Sequence, residues 1–177
     1  MISDKKTPKV EKTGFARFRL GPSILRGVEA AGFDEPRPIQ AATIPTGLKG
    51  RDILGLAQTG TGKTAAFALP ILERLLGDKS RKIRALILAP TRELARQIDA
   101  EIRLLAKFTR VRTATVFGGV PMTGQIRTLA SKPQIVVACP GRLLDLHSRQ
   151  AVDLSGVTTV VLDETDHMLD MGFLPDI

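Results

Sequence analysis

The chain has 177 residues, 26 Lys plus Arg against 18 Asp plus Glu, a formal net charge of +8, and 43% hydrophobic residues. That is one domain's length with an ordinary apolar fraction, which excludes wholesale disorder, collagen-like repeats and a multidomain chain. A sequence pI near 10.1 favours an acidic partner such as nucleic acid, but 7 Phe with no Trp or Tyr leaves few platforms for stacking bases, so contact should run through phosphate and sugar.

Residues 1–14 mix Lys, Asp, Glu, Thr and Pro with few apolar residues and read as a basic mobile tail, whose plainest role is solvation. Met1 to Lys12 lacks an apolar core of signal-peptide length. The domain proper runs over residues 15–177. A helix is expected over Pro22 to Ala31, with Pro near its start and Gly32 just past its end. Ile53-Leu54-Gly55-Leu56 reads as a buried strand, followed by a loop and a helix from Thr64 to Leu76. Ala85 to Ala89, Ile135 to Ala138 and Val160 to Leu162 are further continuous apolar runs, as strands buried on both faces require. Between them, Leu94, Ile98, Ile102 and Leu105 recur on one helical stripe. Strands alternating with helices predict the α/β class: a parallel sheet sandwiched by helices, with right-handed crossovers.

The compartment clues agree with one another. The lone Cys139 cannot make an internal disulfide and suits a reducing, cytoplasmic setting. His147, His167 and Cys139 have no metal-ligand spacing, so no zinc site is expected. The apolar stretch Ala65 to Leu72 is far too short to span a bilayer, and no membrane partner is expected.

Two segments carry chemistry. Ala57-Gln58-Thr59-Gly60-Thr61-Gly62-Lys63-Thr64 lies between a strand and a helix, the setting in which a glycine-rich loop cradles phosphates with its N–H groups and the helix N-terminus. Lys63 would neutralise the β- and γ-phosphates of ATP, and the Thr64 hydroxyl would ligate Mg²⁺. The loop opens with Ala57 where the general pattern has Gly. The second segment, Asp163-Glu164-Thr165-Asp166, closes a buried strand at its carboxyl end, where such sheets place ligands. Asp163 can hold Mg²⁺, and Glu164 can orient or deprotonate the water that attacks the γ-phosphate. Lys63, Asp163 and Glu164 are therefore the candidate catalytic residues, with Thr64 and Asp163 as the metal pair.

With these two elements in place, the chain from Phe15 to Ile177 resembles the DEAD-box RNA helicases, and its acidic segment reads DETD. Gly32-Phe33-Asp34-Glu35-Pro36-Arg37-Pro38-Ile39-Gln40 is similar to the family's Q motif. The resemblance implies a RecA-like P-loop NTPase domain, incomplete at its C-terminus. It assigns ATP binding to Phe15, Glu35, Gln40, Gly60, Thr61, Gly62, Lys63, Thr64 and Ala65. In that assignment the Gln40 amide reads adenine and Phe15 packs beside it. By residue chemistry alone, Phe15 reads as a core residue and Gln40 as a helix-surface amide.

Pro90-Thr91-Arg92, Gly118-Gly119 and Pro140-Gly141-Arg142 follow three strands in the order of the family's RNA-contacting motifs. They would grip successive phosphates and riboses without reading sequence. If about three phosphates are neutralised, the salt slope of binding should be about −2. The resemblance gives Asp166 a coupling role, through a Ser-Ala-Thr segment on a following strand. That segment and the second helicase domain, which would complete the ATP and RNA sites, are not in this chain. It implies further that the absent strand lies between the phosphate-loop strand and the Asp163 strand, so the sheet centre should be defective or rearranged. Thr165 stands where the family usually has Ala, Cys139 where it has Thr, and Arg37 where it has a small hydroxyl residue. A DNA-translocating ATPase and a non-catalytic nucleotide- or RNA-binding module stay open as alternatives. Of the surplus charge, Lys79, Arg81, Lys82 and Arg84 precede a strand and should lie at the sheet's far end from the nucleotide.

Overall fold

The computed structural model describes residues 14–58 and 60–177. The proposed tail up to residue 13 and Thr59 of the phosphate loop lie outside the described residues. Gly14, assigned to the tail, opens a short 3₁₀ turn over Gly14–Phe18. The elements then run α1 (Pro22–Ala30), α2 (Pro38–Leu48), α3 (Lys63–Leu75), β1 (Ala85–Leu88), α4 (Arg92–Leu105), β2 (Thr113–Val116), α5 (Met122–Ala130), β3 (Ile135–Ala138), α6 (Pro140–Ser148), β4 (Thr159–Leu162) and α7 (Thr165–Asp170).

The four strands form one parallel sheet in the order β2-β3-β1-β4. Alternate strand residues feed two cores, as the pleat demands. Ala85, Ile87, Ile135 and Val137 pack with α1, α3 and α4 on one face. Leu86, Leu88, Val136, Ala138, Ala114 and Val116 pack on the other with Leu129 of α5, Leu143 and Leu146 of α6, and Met168 of α7. Helices thus cover both faces of the two inner strands, β3 and β1, which is the expected sandwich.

One expected strand is absent. Residues 53–56 have no strand structure, and Leu54 and Leu56 are each 90% exposed. An apolar run satisfies its backbone as a strand only beside another strand. The outer edge of β4, the place such a strand would approach, has no neighbour among the described residues. Val160 and Leu162 of β4 are exposed as well, while Val161 packs inward. β4 is thus an edge strand among the described residues, and the phosphate-loop run stands outside the sheet.

The phosphate-loop helix is nonetheless held firmly. α2 lies tightly on α3: a Cβ at Gly47 would sit 2.9 Å from the Pro70 ring. Arg74 of α3 donates to the Gly47 carbonyl at 3.3 Å and to Thr159 Oγ1 of β4 at 3.1 Å, tying α2, α3 and β4 together. The Asp99 carboxylate of α4 accepts from Thr113 Oγ1 and, at 2.7 Å, from Arg103, which fixes α4 to β2.

Candidate nucleotide and RNA site

All four strands point their carboxyl ends to one side, and each is followed there by a segment of interest. Across the sheet these are Gly118-Gly119 after β2, Pro140-Gly141-Arg142 after β3, Thr91-Arg92 after β1, and Asp163-Glu164 after β4. Parallel pairing therefore brings together residues that are far apart in sequence.

The phosphate loop reaches the acidic segment from α3. Lys63, the first residue of that helix, places Nζ 3.8 Å from Asp163 Oδ1. Asp163 is only 8% exposed. Burial raises its carboxyl above the ordinary range, and the Lys63 charge and the Glu164 N–H pull it back down. That N–H donates to Asp163 Oδ1 at 3.1 Å. Glu164 adopts a left-handed backbone at φ 51 and caps α7, with its carboxylate 3.6 Å from His167 Nδ1. Such strain in a non-glycine residue persists where the surroundings fix it, often at functional positions. Asp166 is exposed.

On the loop's other side stands the segment over 32–40. Gln40 is the third residue of α2 and is 2% exposed. Its Oε1 accepts from the Arg37 N–H at 2.9 Å, closing a capping box, and its Nε2 donates to the Gly62 carbonyl at 3.1 Å. Gly62 has φ +88, and a Cβ there would sit 2.5 Å from Gln40 Nε2, so only glycine fits. Gln40 thereby links the Q-motif segment to the phosphate loop, and its amide is the buried group that sets their separation. Arg37, Pro38 and Ile39 with Leu56, Ala57, Gly60 and Thr61 line an open cleft of about 500 Å³. Phe15 does not line it: the ring is buried in the core, edge-on to Phe18 and stacked on Phe33. Glu35 is exposed and is also outside the cleft lining.

Sequence reasoning missed Glu101 of α4. Burial raises its carboxyl, against the Thr64 hydroxyl, the Ala65 N–H and the Arg37 charge, which lower it. It therefore faces the start of α3, where Thr64 and Ala65 stand. Only its place in the α4 register could have signalled this, and that register gives no distance to another helix.

The other three segments approach one another around Gly119 and Val120. A Cβ at Gly119 would lie 3.2 Å from Arg92 Nη1. Arg142 donates to the Val120 carbonyl at 3.0 Å, and Thr91 caps α4 through Leu94 N–H at 3.2 Å. Pro140 opens α6 at a position where no N–H is needed. Arg92 is exposed but its Nε is 2.7 Å from Glu93, whereas Arg142 is half-buried. Gly118 and Gly119 are exposed beside them.

Residues 37–177 match the family model described as DEAD/DEAH box helicase. The chain belongs to the DEAD/DEAH box helicase family. It is 50% identical over 165 residues to the ATP-dependent RNA helicase CshA of Listeria monocytogenes, a match covering 93% of this chain and 32% of that protein. The DEAD-box ATP-dependent RNA helicase CshA of Bacillus subtilis is 45% identical over 163 residues, 92% of this chain and 33% of its own length. The chain thus spans about a third of these curated helicases. Among solved structures, the RNA helicase Prp28 of Chaetomium thermophilum, bound to ADP, superposes with a TM-score of 0.86 at 38% identity, over 96% of this chain and 42% of that one. A hypothetical ATP-dependent RNA helicase of Sulfolobus tokodaii gives 0.82 at 40% identity, over 89% and 45%. The fold of this DEAD-box domain is accordingly RecA-like, and no described helix is long and apolar enough to cross a membrane.

Proposed function

We propose that this chain is the ATP-binding half of a cytoplasmic ATP-dependent RNA helicase, which in its full-length parent uses ATP hydrolysis to remodel RNA duplexes or RNA–protein complexes. The approach of Lys63 Nζ to Asp163 Oδ1, 3.8 Å across two elements far apart in sequence, carries this reading. A lysine from a phosphate loop and a buried carboxylate at a strand end suit a bound triphosphate with a divalent ion between them.

In this reading Lys63 balances phosphate charge, and the N–H groups of Gly60, Thr61, Gly62 and Ala65 cradle the phosphates. Glu164 holds the attacking water and takes its proton. The donors present suit Mg²⁺, because that ion keeps several waters and takes only one or two carboxylates besides phosphate oxygens. Asp163 and the Thr64 hydroxyl would hold it, and the chemistry it supplies is neutralisation of charge at the reacting phosphate. Gln40, Phe15 and Glu35 belong to the adenine side. Among these, the packing supports a positioning role for Gln40 more directly than a reading role for Phe15.

Pro90, Thr91, Arg92, Gly118, Gly119, Pro140, Gly141 and Arg142 would form half of a sequence-independent RNA track at the same sheet edge. Asp166 would couple the ATP and RNA sites. The second helicase domain would close the cleft and supply arginines, which contribute about 10³–10⁵ in rate in comparable phosphoryl transfers. The chain by itself then binds nucleotide weakly and hydrolyses ATP negligibly.

The test is steady-state ATPase activity of the full-length parent with matched RNA and DNA strands, alongside its Glu164→Gln variant. RNA-stimulated turnover that E164Q abolishes is the expected result. Equal stimulation by DNA would make it a DNA-translocating ATPase. No turnover in the parent would make it a nucleotide- or RNA-binding module.

A further inference from the structure

The Arg37 side chain, on the segment just before α2, reaches across to the phosphate loop. Its Nη1 donates to the Gly60 carbonyl. That carbonyl has no other donor among the described residues, whereas the neighbouring Gly62 carbonyl is held twice, by Gln40 Nε2 at 3.1 Å and by the Ala66 N–H at 3.3 Å. The two ties act on peptide planes of the same loop. In a trans peptide the C=O and the following N–H point in opposite directions. A Gly60 carbonyl drawn to Arg37 therefore turns the Thr61 N–H to the opposite side of the loop. The Gly62 carbonyl, aligned along α3, does the same for the Lys63 N–H.

Three observations keep the guanidinium at this position. The Arg37 N–H is fixed by Gln40 Oε1 at 2.9 Å. The Arg37 Cδ lies 3.3 Å from where a Gly62 Cβ would be. The Glu101 carboxylate, near the start of α3, feels the Arg37 charge. Arg37 also lines the open cleft with Gly60 and Thr61.

We infer that Arg37 is a positioning residue of the phosphate loop: by holding the Gly60 carbonyl it presents the Thr61 N–H to the phosphates of a bound nucleotide. The inference rests on the nucleotide-binding reading above and adds a residue that the phosphate-loop pattern does not contain. It gives Arg37 a role toward phosphate and none toward adenine.

The experiment is an amide-resolved NMR titration of this chain with ADP, pyrophosphate and adenosine, repeated for Arg37→Thr, Arg37→Lys and Lys63→Ala. For R37T we expect ADP and pyrophosphate to weaken alike, by about three- to tenfold, the worth of one lost hydrogen bond to a main-chain group. Adenosine affinity should be unchanged, and R37K should fall between wild type and R37T. Equal weakening of adenosine and ADP would overturn the inference, since Arg37 would then act on the adenine pocket or on the fold. Unchanged ADP affinity in R37T, with K63A still impaired, would overturn it while leaving the nucleotide reading intact. ADP shifts that are absent, or indifferent to K63A, would overturn the nucleotide reading and this inference with it.

Discussion

Lys63 Nζ and Asp163 Oδ1 meet at 3.8 Å although one opens a helix and the other follows a strand far along the chain. The first residue of a helix and the residue just past a strand are brought together because α3 packs against the sheet beside β4. The pair is uneven. Asp163 is buried and costs stability when ionised, while Lys63 is partly solvated. Stability at this point has been exchanged for a charge arrangement that suits a phosphate ligand.

Asp163→Asn should therefore stabilise the free chain while abolishing Lys63-dependent nucleotide binding. The folded state raises the Asp163 carboxyl above its ordinary value, with burial as the main cause. The folded protein thus holds that proton more readily than the unfolded chain. Its contribution to stability falls as pH rises through the window between the ordinary and the raised value, and stays low above it. Melting curves at pH 7 and at about pH 4 check the sign. The gain of D163N over wild type should be larger at pH 7, and a larger gain at the acidic pH would contradict it.

Cys139 should be inert in the native state. Burial, with the Glu93 charge second, pushes its thiol up to about 11. On the order of one molecule in 10⁴ then carries a thiolate at neutral pH, and the side chain has little access to solvent. Labelling with a thiol-reactive chromophore at pH 7 should be slow when folded and rapid in denaturant. Fast native labelling would show that the β3–α6 junction opens readily.

Gly27 marks the closest approach between α1 and α4. A Cβ there would lie 2.0 Å from the Leu105 carbonyl oxygen, a backbone atom that cannot swing away. Gly27→Ala should cost about 1–3 kcal/mol through overpacking, which lowers the melting temperature by roughly 3–10 °C for a domain of this size. Adenine-nucleotide binding below the melting point should survive, because Gly27 packs against Leu105, the last residue of α4, and not against the residues proposed to hold nucleotide. Calorimetry of the variant measures the first, and an ADP titration the second.

The unpaired edge of β4 should make the isolated chain self-associate. Val160 is 57% exposed and Leu162 41%, beside backbone groups with no strand partner among the described residues, and Leu54 and Leu56 are solvent-facing too. Exposed apolar edges are templates for pairing, and a lysine on the edge suppresses it. Val160→Lys combined with Leu162→Lys should shift the chain toward monomer in concentration-dependent light scattering. Unchanged association in that variant would place the contact elsewhere.

The residues of the candidate site were legible in the chain as local patterns. Lys63, Thr64, Asp163 and Glu164 stood out because a glycine-rich loop and an acidic strand end are local patterns with few other uses. Strands β1, β3 and β4 and helices α1, α3 and α4 were equally readable, since hydrophobic periodicity records which faces are buried. Residues 53–56 mark the limit of that signal. Their apolar run states that the segment would be stable if covered, and says nothing about whether a neighbouring strand exists to cover it.

Long-range geometry belongs to the fold alone. Periodicity along α4 places Glu101 on a helix but cannot aim it at Thr64, and no local rule sends the Arg37 guanidinium to the Gly60 carbonyl. Phe15 sits in the core beside Phe18 and Phe33, the bland outcome its chemistry allowed. Length and charge bounded these 177 residues to about one basic domain, and the motifs pointed to the family, because both depend only on residue type and spacing. The strand order β2-β3-β1-β4, the Lys63–Asp163 distance and the row of loops at one sheet edge were decided by tertiary packing. They depend on which surfaces find each other, and that is a property of the whole chain.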